Sequence, residues 1–567
     1  MKEQFINDGI ENFDFHIDSK TECQKLSQII LSGDYTPQRP QRILVEKSKG
    51  LCRQLVIPSV RDCIVLQCLS DAFYKEIKDK SPTKKSFFEP KDHKFSSEPV
   101  EYGMFTAWVN FQKNLFKFSK TRNFIVVTDI SNYYDSISYT HLRNALSPIT
   151  GVDECVLDML IYVLNNLLWQ PDYTPKIEIG LPQINLDAPR LLAHCFLYEL
   201  DSFLDKSFGG DFVRYMDDID VGVDTIADAR KALMEIDLVL QTKQIRLNSG
   251  KTKILNKSDA VKHFRIYENF RIDTVKTSIE NRIKSNKSID RQKILISRRI
   301  HKGIRTGEFD DGNGEKVLKR WITLAAQTGV KIDSNVIENI VKNRPSVRVS
   351  IYNFIRKTPL TPSISKALAR CLQSKLLVDD AAMVEMANHL VETQVRTRHS
   401  HPQINDIILS MNPKSYYGLY SKLWLQSKYG TTEELLKTLS ENSDIWIPHE
   451  NLGRLAASFL PIFLKSKEEN NFKELLNSTL NSGVRETYKF HISLMRDKDK
   501  FKSMFRFLKS PNHSRGTGIT HAKFICLLSA LLNTNADKNQ LIELKFNNGL
   551  AFKDTYYKSI AKRLKVI

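Results

Sequence analysis

An α+β N-terminal half followed by an all-α, helical-repeat-like C-terminal half is the fold class that this 567-residue sequence predicts. β-branched and aromatic runs, Phe124-Ile-Val-Val-Thr128 and Phe212-Val-Arg-Tyr-Met216 among them, alternate with amphipathic stretches up to about residue 290. Beyond that point strand signals fade and helix-length apolar periodicities follow one another. The composition, 41% hydrophobic and 26% charged, supplies a large core and excludes a disordered chain. The length suits roughly two to four structural units.

The elements follow in order. Phe124–Thr128 reads as an apolar strand ending at Asp129. Residues 188–200 read as a helix with Pro189 in its first turn and Leu192, Phe196, Leu200 and Leu204 on one stripe. Two short β runs flank Asp217-Asp218, and residues 225–241 form a second helix through Ala229, Leu233, Ile236, Leu238 and Leu240. The order is therefore strand, helix, hairpin, helix. In the C-terminal half the periodic sets are Leu452, Leu455, Ala456, Phe459, Leu460, Phe463 and Phe524, Leu527, Leu528, Leu531, Leu532. Breaks at 357–362 and 512–518 divide it into helical pairs, which suggests a solenoid without a repeat of fixed period. The basic run 284–303 joins the halves with no evident linker.

The chain carries 84 Lys and Arg against 65 Asp and Glu, a net charge of +19 that favours a polyanionic partner. Its eight cysteines form no CxxC pair and read as reduced core residues, which excludes a zinc ribbon or a disulfide scaffold. Neither a signal-peptide h-region nor a span of about 20 apolar residues is present, so a cytoplasmic protein without membrane partners is expected.

Arg214-Tyr-Met-Asp-Asp-Ile-Asp-Val-Gly222 sets Asp217 and Asp218 at the tip of a tight turn. Adjacent carboxylates repel, and divalent cations bound jointly with substrate phosphates relieve that repulsion. Asp129, at a strand end, supplies the third carboxylate for two-metal phosphoryl transfer. Asp310-Asp311 and Asp379-Asp380 are internal controls: the first lies in a polar turn, and the second precedes an Ala-rich helix whose dipole it complements.

Tyr215-Met216-Asp217-Asp218 resembles the YxDD box of reverse transcriptases, and the surrounding motifs match in order. Asp129 resembles the first catalytic aspartate, with the backbone of Ile130 beside it as a further metal ligand. Tyr134 stands where the family carries its aromatic gate against the ribose 2′-hydroxyl. Gly180-Leu-Pro182-Gln183 resembles GxPQG. Leu247-Asn-Ser-Gly-Lys251-Thr252 resembles LNxxKT, whose lysine is a proposed general acid toward pyrophosphate. Gly50-Leu-Cys-Arg53 through Pro58 and Asp62 is similar to the fingers pattern, in which the arginine grips the triphosphate; Lys47 and Lys49 add charge there. Gln183 is implied in nucleotide binding, and Gly180, Pro182, Tyr215 and Met216 in template and primer contact. Ile184 replaces the second glycine of GxPQG, Ala188 a serine, and Cys63 an arginine. A bulky β-branched Ile184 is expected to alter the backbone or the template path.

The resemblance implies an α+β right-hand polymerase core, with an N-terminal segment and fingers at 1–120, a ferredoxin-like palm at 121–260, a thumb-like basic region at 261–330 and an all-α repeat-like domain at 331–567. It implies two Mg²⁺ ions, with Mn²⁺ as a substitute, dNTPs as substrates, an RNA such as a cognate noncoding RNA, a DNA product and a homo-oligomer. A core joined to a long helical half, including Trp446–Ala457, is similar to bacterial abortive-infection and antiphage-defence reverse transcriptases. Template-independent synthesis and a non-catalytic nucleic-acid scaffold are the alternatives. Tyr416, Tyr417 and Tyr420 are candidate priming hydroxyls that read more simply as packing aromatics. The Arg-to-His spacings 396–401, 485–491 and 515–521 are assigned to chance, and His399-Ser-His401 to a polar loop.

Overall fold

Short strands form two small sheets, the larger of which is built around the β-branched and aromatic runs Phe124–Asp129 and Phe212–Tyr215, and helices account for most of the remaining described residues. The computed structural model describes residues 5–77, 79–87, 104–184, 186–358, 360–395, 401–511 and 517–567. It divides into a sheet unit, residues 34–43 and 54–267, and a helical unit, residues 5–33, 44–53 and 268–567. The predicted N-terminal segment 1–120 is thus shared between the two. Among the described residues no helix is long and apolar enough to cross a membrane.

In the sheet unit β3 (Phe124–Asp129), β4 (Phe212–Tyr215), β5 (Asp218–Val223) and β6 (Lys253–Asn256) pair antiparallel in the order β4-β5-β3-β6. With helices between β3 and β4 and between β5 and β6, this is the ferredoxin-like β-α-β-β-α-β arrangement. Strand alternation gives each face its own cover. Ile125, Val213 and Leu255 pack on Phe111, Leu115 and Phe118 of helix Met104–Ser119. Helices Tyr198–Phe208 and Ile226–Gln241 pack on the sheet as well. Gly222 is obligatory at the crowded face, because a Cβ there would lie 2.8 Å from the Phe118 ring and 2.9 Å from Arg122 Cγ.

The stripe Leu192, Phe196, Leu200 and Leu204 is buried as expected, although the helix breaks at Leu197 into Asp187–Phe196 and Tyr198–Phe208. Pro189 lies in the first turn. In helix Ile226–Gln241 the buried face is Ala229, Ala232, Ile236 and Leu240; Leu238 is exposed and Leu233 half-buried, because the stripe advances along the small alanines.

The all-α region begins at residue 257, directly after β6, and not near residue 290. Within the helical unit Gly314–Thr328 packs on Arg348–Lys357, Ser334–Asn343 on Pro362–Gln373, Arg348–Lys357 on Asp380–Val391, Pro362–Gln373 on His401–Ser410 and Asp380–Val391 on Tyr416–Tyr429. Each helix stacks on the next but one, which is the interlocking expected of helical pairs in a solenoid. The segment Trp446–Ala457 is two helices, Ser443–Trp446 and Glu450–Ser458, separated around Pro448.

All eight cysteines are free. Cys63, Cys195, Cys371 and Cys526 are buried, whereas Cys23, Cys52, Cys68 and Cys155 are exposed and are not core residues.

Candidate active site

The β4–β5 hairpin pairs Tyr215 with Asp218 and leaves Met216-Asp217 as a two-residue loop. Met216 adopts φ +57°, a left-handed conformation costly for an unbranched L-residue and retained only where the surroundings enforce it. Here the enforcing group is Arg214. Its guanidinium is fully buried, donates to the Met216 carbonyl at 2.8 Å, and binds Asp201 through Nε at 2.6 Å and Nη2 at 2.5 Å. Burial works against the Arg214 charge, and fully buried Asp201 more than offsets it, so the guanidinium stays above its ordinary range. Burial, reinforced by Arg214, holds neighbouring His194 well below the usual imidazole range, hence neutral.

Asp129 stands directly across β3–β5 from Asp218. Cross-strand partners project from the same face, where two like charges destabilise the pair. The segment after helix Ile226–Gln241 offsets this. Lys251 Nζ forms an ion pair with Asp129 Oδ2, Asn248 Nδ2 donates to Oδ1 at 3.3 Å, and the Asn248 amide donates to the Asp129 carbonyl at 2.7 Å. Ser131 N donates to Arg246 O at 2.9 Å, Ile130 bridges Leu247, and Thr128 and Thr252 hydroxyls meet at 2.7 Å. The LNxxKT-like segment is therefore stitched along the whole end of β3. Asp129 is buried, Asp217 half-buried and Asp218 exposed.

Tyr134 opens a short 3₁₀ turn, Tyr134–Ser136, and is half-buried with its ring edge-on to Tyr133 at 5.9 Å. Tyr133 is buried, and its hydroxyl donates to the Ala193 carbonyl. The segment 180–183 is strapped to this turn. Gly180 N donates to Ile137 O and Leu181 N to Tyr134 O, both at 2.8 Å, while Gln183 Nε2 reaches Asp135 Oδ1 at 2.9 Å and its carbonyl accepts from Val56 N at 3.0 Å. Gly180 has φ +105°, which a side-chain-bearing residue rarely adopts. Pro182 is buried. Ile184 is half-buried and is not among the positive-φ residues, so this backbone does without the second glycine. Tyr215 is half-buried, its ring centroid 6.0 Å from that of Phe111.

Asp129, Asp217, Asp218, Lys251, Tyr134 and Gln183 thus belong to one unit. Arg53, Lys47 and Lys49 do not share it: residues 44–53, the tip of the hairpin of β1 (Gln41–Ser48) and β2 (Leu51–Ile57), belong to the helical unit. All three are exposed there. Asp62 of the fingers-like pattern is buried and structural, accepting from Tyr35 Oη and Ser59 Oγ at 2.7 Å and from Gln38 N at 3.1 Å; Cys63 beside it is buried. Among the described residues no three His, Cys, Asp or Glu stand together as a metal site.

No family model matches the chain. Protein YkfC of Escherichia coli (strain K12) is 26% identical over 211 residues, 35% of this chain and 50% of that protein, so the chain matches about half the length of its curated relative. Two solved telomerases are similar at low level. One, from Candida albicans in complex with a TWJ fragment of telomeric RNA, has 11% identity and a TM-score of 0.28, with 70% of this chain and 69% of that one covered. The other, an apo telomerase from Candida tropicalis, has 12% identity and a TM-score of 0.27, covering 68% and 74%.

Sequence reading missed Arg214, Asp201, Asn248 and Asp220. Asp220 is buried on β5, two residues from Asp218 and on the same face. The signal for the Arg214–Asp201 pair was present: Asp201 interrupts the apolar stripe of Leu197, Leu200 and Leu204, and Arg214 interrupts an apolar strand, so each needs a partner.

The remaining candidates that lie among the described residues make structural contacts. Asp310 pairs with Arg344. Asp379 and Asp380 do more than complement a helix dipole, since they accept the amides of Glu46 at 3.2 Å and Leu44 at 3.0 Å. Tyr420 is fully buried with its hydroxyl accepting from Asn7 N at 2.9 Å; Tyr417 is buried, and Tyr416 packs on Tyr417 and His449. His491 meets Ser529 Oγ at 2.8 Å; His521 meets Ser427 Oγ at 2.7 Å and Tyr557 Oη at 2.9 Å. Residues 396–400, including His399, and Arg515 lie outside the described residues, as does the His401 side chain.

Proposed function

We propose that the chain is a reverse transcriptase that extends a hydroxyl with dNTPs to make DNA, and that it serves bacterial antiphage defence. The observation that carries this reading is the register that sets Asp129 opposite Asp218, beside a braced turn bearing Asp217, with Lys251 on Asp129. Asp129, Asp217, Asp218 and the Ile130 carbonyl are the oxygen-only donors that would hold Mg²⁺ or Mn²⁺, which when bound would supply Lewis acidity toward the attacking hydroxyl and the leaving pyrophosphate.

The chain's own groups do the remaining work. Arg214 and Asp201 hold the turn, so the carboxylates are fixed before substrate arrives. Lys251 balances Asp129 at rest and can donate a proton or charge to pyrophosphate. Tyr134, set by Tyr133 and by the Gly180–Gln183 strap, walls off a 2′-hydroxyl. The exposed Arg53, Lys47 and Lys49 attract triphosphate. The net charge of +19 favours an RNA template and a DNA product, and an all-α solenoid joined to such a core favours the defence setting and a homo-oligomer. Ile184 in place of glycine favours weakly templated synthesis within the same reaction.

The test is labelled-dNTP incorporation by the full chain with Mg²⁺, with and without a primed RNA template. Asp217→Ala is expected to lower it about a thousandfold, equivalent to roughly 4 kcal/mol of transition-state stabilisation. Equal incorporation by both proteins removes the polymerase reading and leaves a nucleic-acid-binding scaffold.

A further inference from the structure

Residues 5–18 read Phe-Ile-Asn-Asp-Gly-Ile-Glu-Asn-Phe-Asp-Phe-His-Ile-Asp, a run with four acids and neither lysine nor arginine in a chain of net charge +19. They belong to the helical unit and lie across its helices. Asn388 Nδ2 donates to the Phe5 carbonyl at 2.8 Å, and Asn7 N donates to Tyr420 Oη at 2.9 Å. The Arg454 guanidinium, itself buried, binds Asp8 through Nε at 2.8 Å and Nη2 at 3.1 Å, and Asp14 through Nη1 at 2.8 Å and Nη2 at 2.9 Å. Glu11 accepts from Thr520 Oγ1, the Phe13 ring stacks on Phe507 at 3.6 Å, and Asp18 pairs with Lys500 at 2.8 Å. Gly9 passes so close to helix Glu450–Ser458 that a Cβ there would lie 2.1 Å from Ser458 Oγ. Ile6 and Ile10 are buried.

The segment has the character of a bound peptide. Its helix Phe13–Ile17 has five residues and buries none of them, and Glu11 and Asn12 stand side by side at φ +53° and +52°. So short a helix does not hold itself, and successive left-handed L-residues persist only where their surroundings enforce them. The shape is therefore imposed by the seat, and the cations of that seat select the one acidic run that fits it. The tether is built differently. Helix Ser19–Leu31, which leads from the segment toward residue 34 of the sheet unit, buries only Leu26. A terminal segment that is closely seated, on a tether that packs on little, is what identical copies trade at low cost, because every contact of the seat is remade in the partner.

We propose that two chains pair by exchanging residues 5–18, the segment of each docking on Tyr420, Arg454, Lys500, Phe507 and Thr520 of the other. This rests on the homo-oligomer of the proposed function, to which it gives a contact, and is independent of the polymerase chemistry.

The test is the mass of the full chain in solution by light scattering, for which two chains are expected. Asp8→Lys combined with Asp14→Lys reverses the segment and leaves the seat native; Arg454→Glu reverses the seat and leaves the segment native. Either variant alone sets like charges together whether the segment is exchanged or not, so the dimer is expected to weaken on the order of a hundredfold. Mixing the two separates the arrangements. Exchange sets reversed segment on reversed seat and native segment on native seat, so the mixture regains the two-chain mass, whereas docking within each chain leaves both mismatched. Gly9→Leu serves should Arg454→Glu not fold, since it crowds Ser458 and leaves the seat's own residues unchanged; a single-chain mass is expected. A two-chain mass kept by Gly9→Leu or by either reversed variant alone, or a mixture that stays at the single-chain mass, overturns the exchange and spares the homo-oligomer. A wild type of single-chain mass overturns both and leaves the polymerase reading standing. Wild-type dNTP incorporation no higher than that of Asp217→Ala removes the polymerase reading and leaves the exchange standing.

Discussion

Two hairpins in this molecule solve the same problem in opposite ways. Each turns through two residues, one of them a non-glycine with positive φ: Met216 in the β4–β5 hairpin and Lys49 in the β1–β2 hairpin. Each is braced by a buried arginine paired with a buried aspartate, Arg214–Asp201 and Arg348–Asp379. In the first, the arginine belongs to the hairpin, its aspartate is 13 residues away, and it grips the turn carbonyl directly. In the second, the arginine lies 302 residues from Glu46 and reaches the turn amide only through that carboxylate. The turn bearing Asp217 is thus fixed by residues close along the chain, whereas the Lys49–Gly50 turn is fixed by residues of its own helical unit that lie some 300 positions away. The first brace is complete within the sheet unit and the second within the helical unit.

Arg214→Met has the largest expected effect on the first brace. Asp201 is left buried and unpaired and Met216 loses its restraint, so a loss of about 3–5 kcal/mol is expected in the sheet unit. Hydrogen exchange should rise in β3, β4 and β5 and stay unchanged in helix Arg348–Lys357. Loss of protection in both units would show that the brace is not local.

A second prediction, smaller in effect, concerns the distant brace. Burial raises the Glu385 carboxyl, on helix Asp380–Val391, to about 7, with Asp379 adding to the rise and Arg348 opposing it; Tyr352 lies on the facing helix. The folded chain therefore holds this proton more tightly than the unfolded chain does. The stabilisation is complete below the ordinary value of 4.5 and is lost as the pH rises through about 7. Its size is on the order of 3 kcal/mol. Denaturant titration of wild type and Glu385→Gln across pH 5 to 8 should show this slope in the wild type alone; parallel curves would refute it.

The sheet unit was legible because its information is local. Alternation in Phe124–Thr128, a two-residue turn at Met216-Asp217 and a proline in the first turn of helix Asp187–Phe196 each declare themselves within a few residues. Asp129, Asp217 and Asp218 stood out as strand-end and turn residues, whereas Lys251 was singled out by the LNxxKT-like segment alone, and the structure pairs it with Asp129. The organisation of the helical unit was not legible. Residues 5–33 join it through Arg454, which binds Asp8 at 2.8 Å and Asp14 at 2.8 Å across more than 400 residues, and no periodicity announces such a pair. Asp379-Asp380 illustrates the same limit. Its position before a helix suggested dipole complementation, while its edge-strand amides and Arg348 come from elsewhere in the chain. Leu238 belongs to the apolar set that predicts helix Ile226–Gln241, yet the helix buries Ala229 and Ala232 and leaves Leu238 exposed.

If Asp129 serves phosphoryl transfer and is not merely the partner of Lys251, its loss costs far more than the loss of that lysine. Labelled-dNTP incorporation by Asp129→Asn and by Lys251→Met, each beside the wild type in Mg²⁺, separates the two. A fall of about a thousandfold is expected for Asp129→Asn and one of about ten- to a hundredfold for Lys251→Met. Wild-type incorporation by Asp129→Asn would contradict it.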